Sequence, residues 1–367
     1  MNSSVFKDRG PFDRLLRQDT VFFLLTLSYV VFSLNEFAHG QSTQLQRFES
    51  SQPAMGSLLS FVVYAVEEAQ ATSAIHEAVR VMNALAIPIN NYDPSSEVSR
   101  LESTPPQTDI PISTTLADVL HESSRWHELS RGAFDSTTGS LIRVWREARK
   151  EKKFPDGAKL EDAKKNKGWE NLKLSNDKKN APSLVFKSRG MAIDLSGIAT
   201  GFLLDAMMES LHQSGIRSAL INAGGDIIVG DPPPNREGWS IDIAGISKSA
   251  PALARLSLRN CSVTTSGDLY QFIELDGVRY SHLIHPQRGE PITRRQSVTV
   301  VAKRAIDADA GATAVAVLGP ETAFSIMHEL PLLQVLYVSL HETSQVSLRL
   351  LHDVEVSTPF MIDGRSR

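Results

Sequence analysis

The chain has 367 residues, 41% of them hydrophobic and 22% charged, with a formal net charge of −4. These proportions are ordinary for a globular protein with a sizeable core, and the lack of a basic excess argues against nucleic acid as a partner. The lone cysteine, Cys261, excludes an internal disulfide and a multi-cysteine zinc or iron–sulfur centre. It reads as a small apolar filler.

Lys7, Arg9, Arg14 and Arg17 precede an apolar run of 14 residues, 21–34. That run is shorter than the ~20 residues a membrane span needs. With small residues following at Ala38 and Gly40, residues 1–40 fit a secretory signal peptide, or else a signal anchor that stays in the membrane. The expectation is export, to the periplasm or the outer face of the cytoplasmic membrane, with membrane association through this segment if it is retained. No cysteine follows the run, so a bacterial lipid-anchor site is not expected. Residues 41–367 are left as one domain.

After the leader, residues 58–64 read as a strand. Residues 67–85 carry Ala74, Ile75, Ala78, Val79, Met82 and Leu85 at helical spacing. A turn-rich stretch, 90–96, leads to Ser96-Glu97-Val98-Ser99, which opens a short helix or closes a loop. A helix is predicted over 115–130, with Leu116, Val119, Leu120, Ser123 and His127 on one stripe, and another over 141–150. The lysine-rich residues 151–189 read as an exposed connection with one or two edge strands. Further strands are predicted at 191–195, 219–222, 226–229, 240–244, 254–258, 262–265, 278–283, 297–301 and 336–339, the last closing the set. Helices are predicted at 201–214, 309–317 and 321–329. Strands in runs with helices between them argue for an α+β fold with largely antiparallel sheets.

Four features bear on chemistry. Residues 194–201 (DLSGIATG) place a polar, glycine-bearing turn between a strand and a helix, where backbone groups and a helix N-terminus can meet a phosphate. Asn222-Ala223-Gly224-Gly225-Asp226 reads first as a hairpin turn. Asp309 and Thr313, four apart on one helix face, are hard oxygen donors suited to Mg²⁺; the plain alternative is an Asp near a helix N-terminus, stabilised by the dipole. In residues 280–289 (YSHLIHPQRG), His282 and Ile284 share one strand face if the strand reaches that far.

Taken in order, Met55-Gly56-Ser57, Tyr92-Asp93 with Ser96–Ser99, Gly132–Asp135 with Thr137, Asp194–Gly201, Asn222–Asp226, Thr265-Ser266-Gly267, Ser281-His282 with Pro286 and Gly289, and Asp309–Thr313 resemble the ApbE-like FAD:protein FMN transferases. The resemblance spans about residues 54–320. It implies an ApbE-like fold, FAD as substrate, Mg²⁺ as cofactor, and an acceptor protein that receives FMN on a threonine or serine while AMP leaves. It further implies FAD contacts at Met55, Tyr92, Ala133, Phe134, Asp135, Asp194, Thr200 and Leu283. Mg²⁺ would be held by the Gly197 carbonyl, Asp309 and Thr313, and His282 would reach the pyrophosphate as the catalytic side chain.

Two positions depart from the family's pattern. Thr200 stands where lysine is common, which removes a charge and implies weaker FAD binding, and His285 stands where aspartate is usual. Two other functions share most of these residues: an FAD pyrophosphatase, with water in place of the acceptor hydroxyl, and a non-catalytic FAD-binding protein.

Overall fold

A computed structural model describes residues 44–175, 181–244, 252–268, 271–332, 334–340, 346–352 and 361–362. The expected leader, 1–40, lies outside the described residues. The frame is an eight-stranded sheet whose strands follow one another in chain order. They are β1 (Gln46–Ala54), β2 (Ser57–Ala65), β3 (Ala219–Ala223), β4 (Asp226–Val229), β5 (Cys261–Gly267), β6 (Gln296–Ala302), β7 (Gln334–Leu340) and β8 (Val346–His352). Every neighbouring pair is antiparallel. The fold is α+β, as the run of predicted strands implies.

Alternation on the strands separates two layers. Leu59, Phe61, Val63 and Ala65 on β2 are buried in the core that the helices share. Val62 and Tyr64 point the other way, into a cluster with the hairpin Trp239–Ile243/Ala254–Leu258. There Tyr64 meets Trp239 edge to face, ring centroids 6.0 Å apart. Cys261 is buried in this second cluster, and burial pushes its thiol up to about 11. It is a filler, as expected.

The β2–β3 connection carries α1 (Glu68–Ile89), α2 (Thr114–Leu129), α3 (Gly139–Glu151) and α4 (Ala199–Gln213); the β6–β7 connection carries α5 (Ala305–Leu318). α5 is the central helix. From Ala305 to Val317 every residue is buried except Thr313, which is half-buried. Small side chains permit this depth. A Cβ on Gly201 of α4 would lie 2.4 Å from the Ala305 carbonyl oxygen, so only glycine allows the two helices to approach this closely. Asp205, also on α4, caps α5 from outside: its carboxylate accepts from Ala305 N at 2.7 Å and Ile306 N at 3.0 Å. Asp307 ties α5 to α2, accepting from Trp126 Nε1 at 3.0 Å, from Arg304 and from Arg125.

Several expected elements are corrected. The helix predicted at 309–317 begins at Ala305, so Asp309 sits in its second turn and the dipole reading does not apply. Residues 191–195 form no ladder strand, only a bridge from Ala192 to Thr138. The Asn91 side chain takes the place of a neighbouring strand, donating to Ile193 O at 2.6 Å and accepting from Leu195 N at 2.7 Å. Residues 151–189 contain, besides edge strands, a helix at Gly157–Lys165. Its charged sequence buries only Ala163, which left no apolar period to read. The strand at Val278–Ser281 ends before His282, and its partner Phe272–Leu275 was not foreseen. β8 and Met361–Ile362 follow the strand expected to be last.

Candidate active site

A cavity of about 360 Å³ opens beside α5, a size that suits a small-molecule site. Two groups of side chains line it. The first gathers on the sheet and α5. The 194–201 turn brings Gly197 against α5, where a Cβ added to the glycine would lie 3.2 Å from Thr313 Oγ1 and 3.3 Å from the Phe134 ring. One turn earlier on the same face, Asp309 accepts from Gly201 N at 3.0 Å. Asp226, at the start of β4, lines the same space, as does Thr264 of β5.

The two carboxylates of this group hold their protons unusually well. Burial pushes Asp226 up to about 6, opposed by the nearby Thr264 hydroxyl. Burial and the Asp226 charge raise Asp309 well above the usual carboxylate range, which the Gly201 N–H opposes only in part. Two desolvated carboxylates, a hydroxyl and an exposed backbone turn form a set of hard oxygen donors short of positive charge. That set fits Mg²⁺, which takes one or two carboxylates and leaves positions for phosphate oxygens. No cluster of three or more His, Cys, Asp or Glu side chains occurs among the described residues, so an all-side-chain cage is not what is built here.

The second group comes from α3 and two loops. Tyr92 is 72% exposed, and the Arg146 guanidinium stands 5.1 Å from its ring centroid. Arg146 also donates to Asp194 at 3.2 Å, while the Asp194 carboxylate accepts from Ser196 N at 2.9 Å, which fixes the glycine turn. Asp135 is held similarly, accepting from Thr137 N at 2.9 Å and Thr137 Oγ1 at 2.6 Å. Arg149, one turn beyond Arg146, also lines the cavity.

His282 lies just past its strand, its backbone N–H donating to Gln271 O at 3.0 Å and its ring Nδ1 standing 3.3 Å from the same oxygen. Burial, joined by the Arg149 charge and opposed by the Gln271 carbonyl, holds the ring below the ordinary histidine value. The shift favours the uncharged ring. Its loop is pinned to α3: Trp145 stacks on Tyr280 with centroids 5.8 Å apart and donates to Gly289 O at 3.1 Å.

Of the residues singled out in the sequence, His282, Tyr92, Ala133, Phe134, Asp135, Asp194, Leu283, Gly197, Asp309 and Thr313 all line this cavity. Met55 and Thr200 are not among its lining residues. Met55 takes positive φ in the exposed two-residue turn between β1 and β2. The neighbouring Ser57 abuts Gly224, which does line the cavity. Thr200 is half-buried in the first turn of α4. His285 pairs with Glu290 in a short strand and lies outside the lining. Sequence reasoning quoted Asp226 only as the end of a turn motif, giving it no role, and passed over Arg146 and Arg149, which are hidden in a charged neighbourhood.

The same span stands out in comparison with known proteins. A profile of the ApbE family matches residues 55–337. An FAD:protein FMN transferase of Treponema pallidum is 29% identical over 313 residues, 82% of this chain and 86% of that one. One from Vibrio cholerae is 31% identical over 270 residues, 71% of this chain and 78% of that one. The crystal structure of the Pseudomonas stutzeri flavinyl transferase ApbE, apo form, superposes with a TM-score of 0.73 at 25% identity, over 84% of this chain and 95% of that one. Matched over most of its length in sequence and in fold, the chain belongs to the ApbE family.

Proposed function

We propose that the cavity takes up FAD and passes its FMN portion to a threonine or serine hydroxyl of an acceptor protein, releasing AMP. The reading is carried by one observation: an oxygen cluster suited to a cation, a histidine and two arginines line a single cavity. The family's FAD:protein FMN transferase activity supports it. Asp309, Thr313 and the Gly197 carbonyl would hold Mg²⁺, which neutralises pyrophosphate charge when bound.

The remaining roles fall to the chain's own side chains. Tyr92, Phe134 and Leu283 offer apolar surface to the flavin nucleotide, and Asp135 and Asp194 offer fixed acceptors. As the acceptor oxygen bonds to the FMN phosphorus, the bond from that phosphorus to the bridging oxygen breaks, and its electron pair stays with AMP. His282 has its Nδ1–H directed at the Gln271 carbonyl oxygen, 3.3 Å away, and donates toward the pyrophosphate through Nε2 once the charge growing there gives that nitrogen a proton. Asp226, in the same cavity and with proton affinity near the working range, receives the hydroxyl proton.

The test is to incubate the protein with FAD, Mg²⁺ and a candidate acceptor, then weigh the acceptor. Added FMN mass with stoichiometric AMP is the expected result. AMP and free FMN without acceptor mass would convert the reading to a pyrophosphatase.

Export through residues 1–40 is part of the proposal, supported by their basic start and short apolar run. Residues 1–45 fused to a reporter active only outside the cytoplasm should give signal; a silent reporter, with protein retained inside, refutes it.

A further inference from the structure

We infer that Arg149 is a phosphate-binding residue of the cavity, its guanidinium taking one phosphate of the FAD pyrophosphate. The inference rests on the flavin-transfer reading and adds a residue that the family motifs quoted above do not include.

Three arginines project from α3, and they differ in their partners. Arg143 pairs with Glu102 at 2.5 Å. Arg146 has both Asp194 and the Tyr92 ring. Arg149 has no hydrogen bond or ion pair with an acidic side chain among the described residues, although it is half-buried and lines the cavity. The charge that acts on it most is a like one: burial and then Arg146 depress its proton affinity, and only Tyr92 opposes them. A guanidinium held in a cavity wall beside another cation, with no carboxylate to match it, is a site prepared for an anion.

The ordinary explanation for a cation late in a helix is the dipole at the C-terminus. Exposed Lys150 serves that purpose without desolvation. Arg149 instead faces the space that His282 faces, close enough for its charge to disfavour protonation of His282. The two cannot drift apart freely, because Trp145 fastens the His282 loop to α3. The anion is a phosphate because the same cavity is lined by the oxygen cluster suited to Mg²⁺, an ion that bridges to substrate phosphates. A guanidinium fork matches two phosphate oxygens at once.

Binding of FAD, AMP, FMN and riboflavin is measured by calorimetry on the full chain with Mg²⁺, for the parent, Arg149→Gln and Arg149→Lys. Losing a charge-assisted contact should weaken FAD about 10- to 100-fold in Arg149→Gln. Riboflavin, which has no phosphate, should bind unchanged, and Arg149→Lys should fall between. A loss confined to AMP assigns the adenylate phosphate, and a loss confined to FMN the flavin phosphate; either supports the inference. Unchanged FAD affinity, or equal weakening of riboflavin, overturns it while leaving the transferase reading intact. A parent chain that binds no FAD overturns both.

Discussion

The two walls of the cavity are built on different principles. The wall containing Asp226, Asp309, Thr313 and Gly197 belongs to the core: each residue sits on a sheet strand, on a buried helix or against it, and each is fixed by packing. The wall containing Tyr92, Arg146, Arg149 and His282 is borne by an amphipathic helix and two loops, and its order depends on a few tethers. Chemistry that needs one unchanging geometry, such as holding a hard cation, sits on the rigid side. Groups that must admit and release a large nucleotide sit on the side with fewer attachments.

The comparison is tested most severely at Trp145, the tether between α3 and the His282 loop. Trp145 is buried in a satellite cluster with Leu141, Ala148, Ala163 and Ile284, apart from the main core. Trp145→Ala should cost ~3–5 kcal/mol of stability if that cluster unfolds with the rest. Denaturant melts followed by far-UV circular dichroism, alongside proteolysis within 280–289, separate two outcomes. Early cleavage of the loop with the global transition nearly unchanged would show that this wall opens independently. A single cooperative transition shifted by the full amount would erase the distinction between the walls.

Next in size is the contrast between the two histidines. His282 lines the cavity and His285 does not, although they are three residues apart. His282→Ala should lower FMN transfer by ~10²–10³, the usual loss for one transition-state donor. His285→Ala should leave transfer within a few-fold. Rates are compared by AMP release and acceptor mass, with folding checked by circular dichroism. A dead His285→Ala beside a nearly normal His282→Ala would reverse the assignment.

How much of this was legible follows the same division. Asp309 and Thr313 could be found because a helical period of four and oxygen chemistry are both local properties of a sequence. The positions of the central strands could be read because β2 through β7 alternate or run apolar, whereas their order in the sheet came from the fold. Asp226 was obscured because a glycine pair signals a turn whatever lies beyond it, and only the fold shows α5 closing over that strand. Arg149 was invisible for another reason: among lysines and arginines on a charged helix, nothing local marks the one that lacks a partner. The 191–195 segment was misread because an extended, apolar run looks the same when a side-chain amide, here Asn91, replaces the neighbouring strand.

The smallest expected effect concerns pH, and it probes the rigid wall alone. Asp226 is raised to about 6, so lowering the pH through that value protonates it. A protonated Asp226 cannot accept the acceptor hydroxyl's proton, so kcat/KM should fall about tenfold per pH unit on the acid side. A cation bound beside Asp309 favours the ionised form and moves this limb to lower pH, never higher. His282 cannot produce the same limb: its value is depressed, and protonation would add a donor and positive charge beside the pyrophosphate. The check is the pH profile of FMN transfer for the parent and for Asp226→Asn. Loss of the acid limb in the variant, with Mg²⁺ affinity retained, places the proton acceptor at Asp226. An acid limb that survives unchanged in Asp226→Asn shows that the carboxylate pair serves only the cation, and the base must be sought on the acceptor protein.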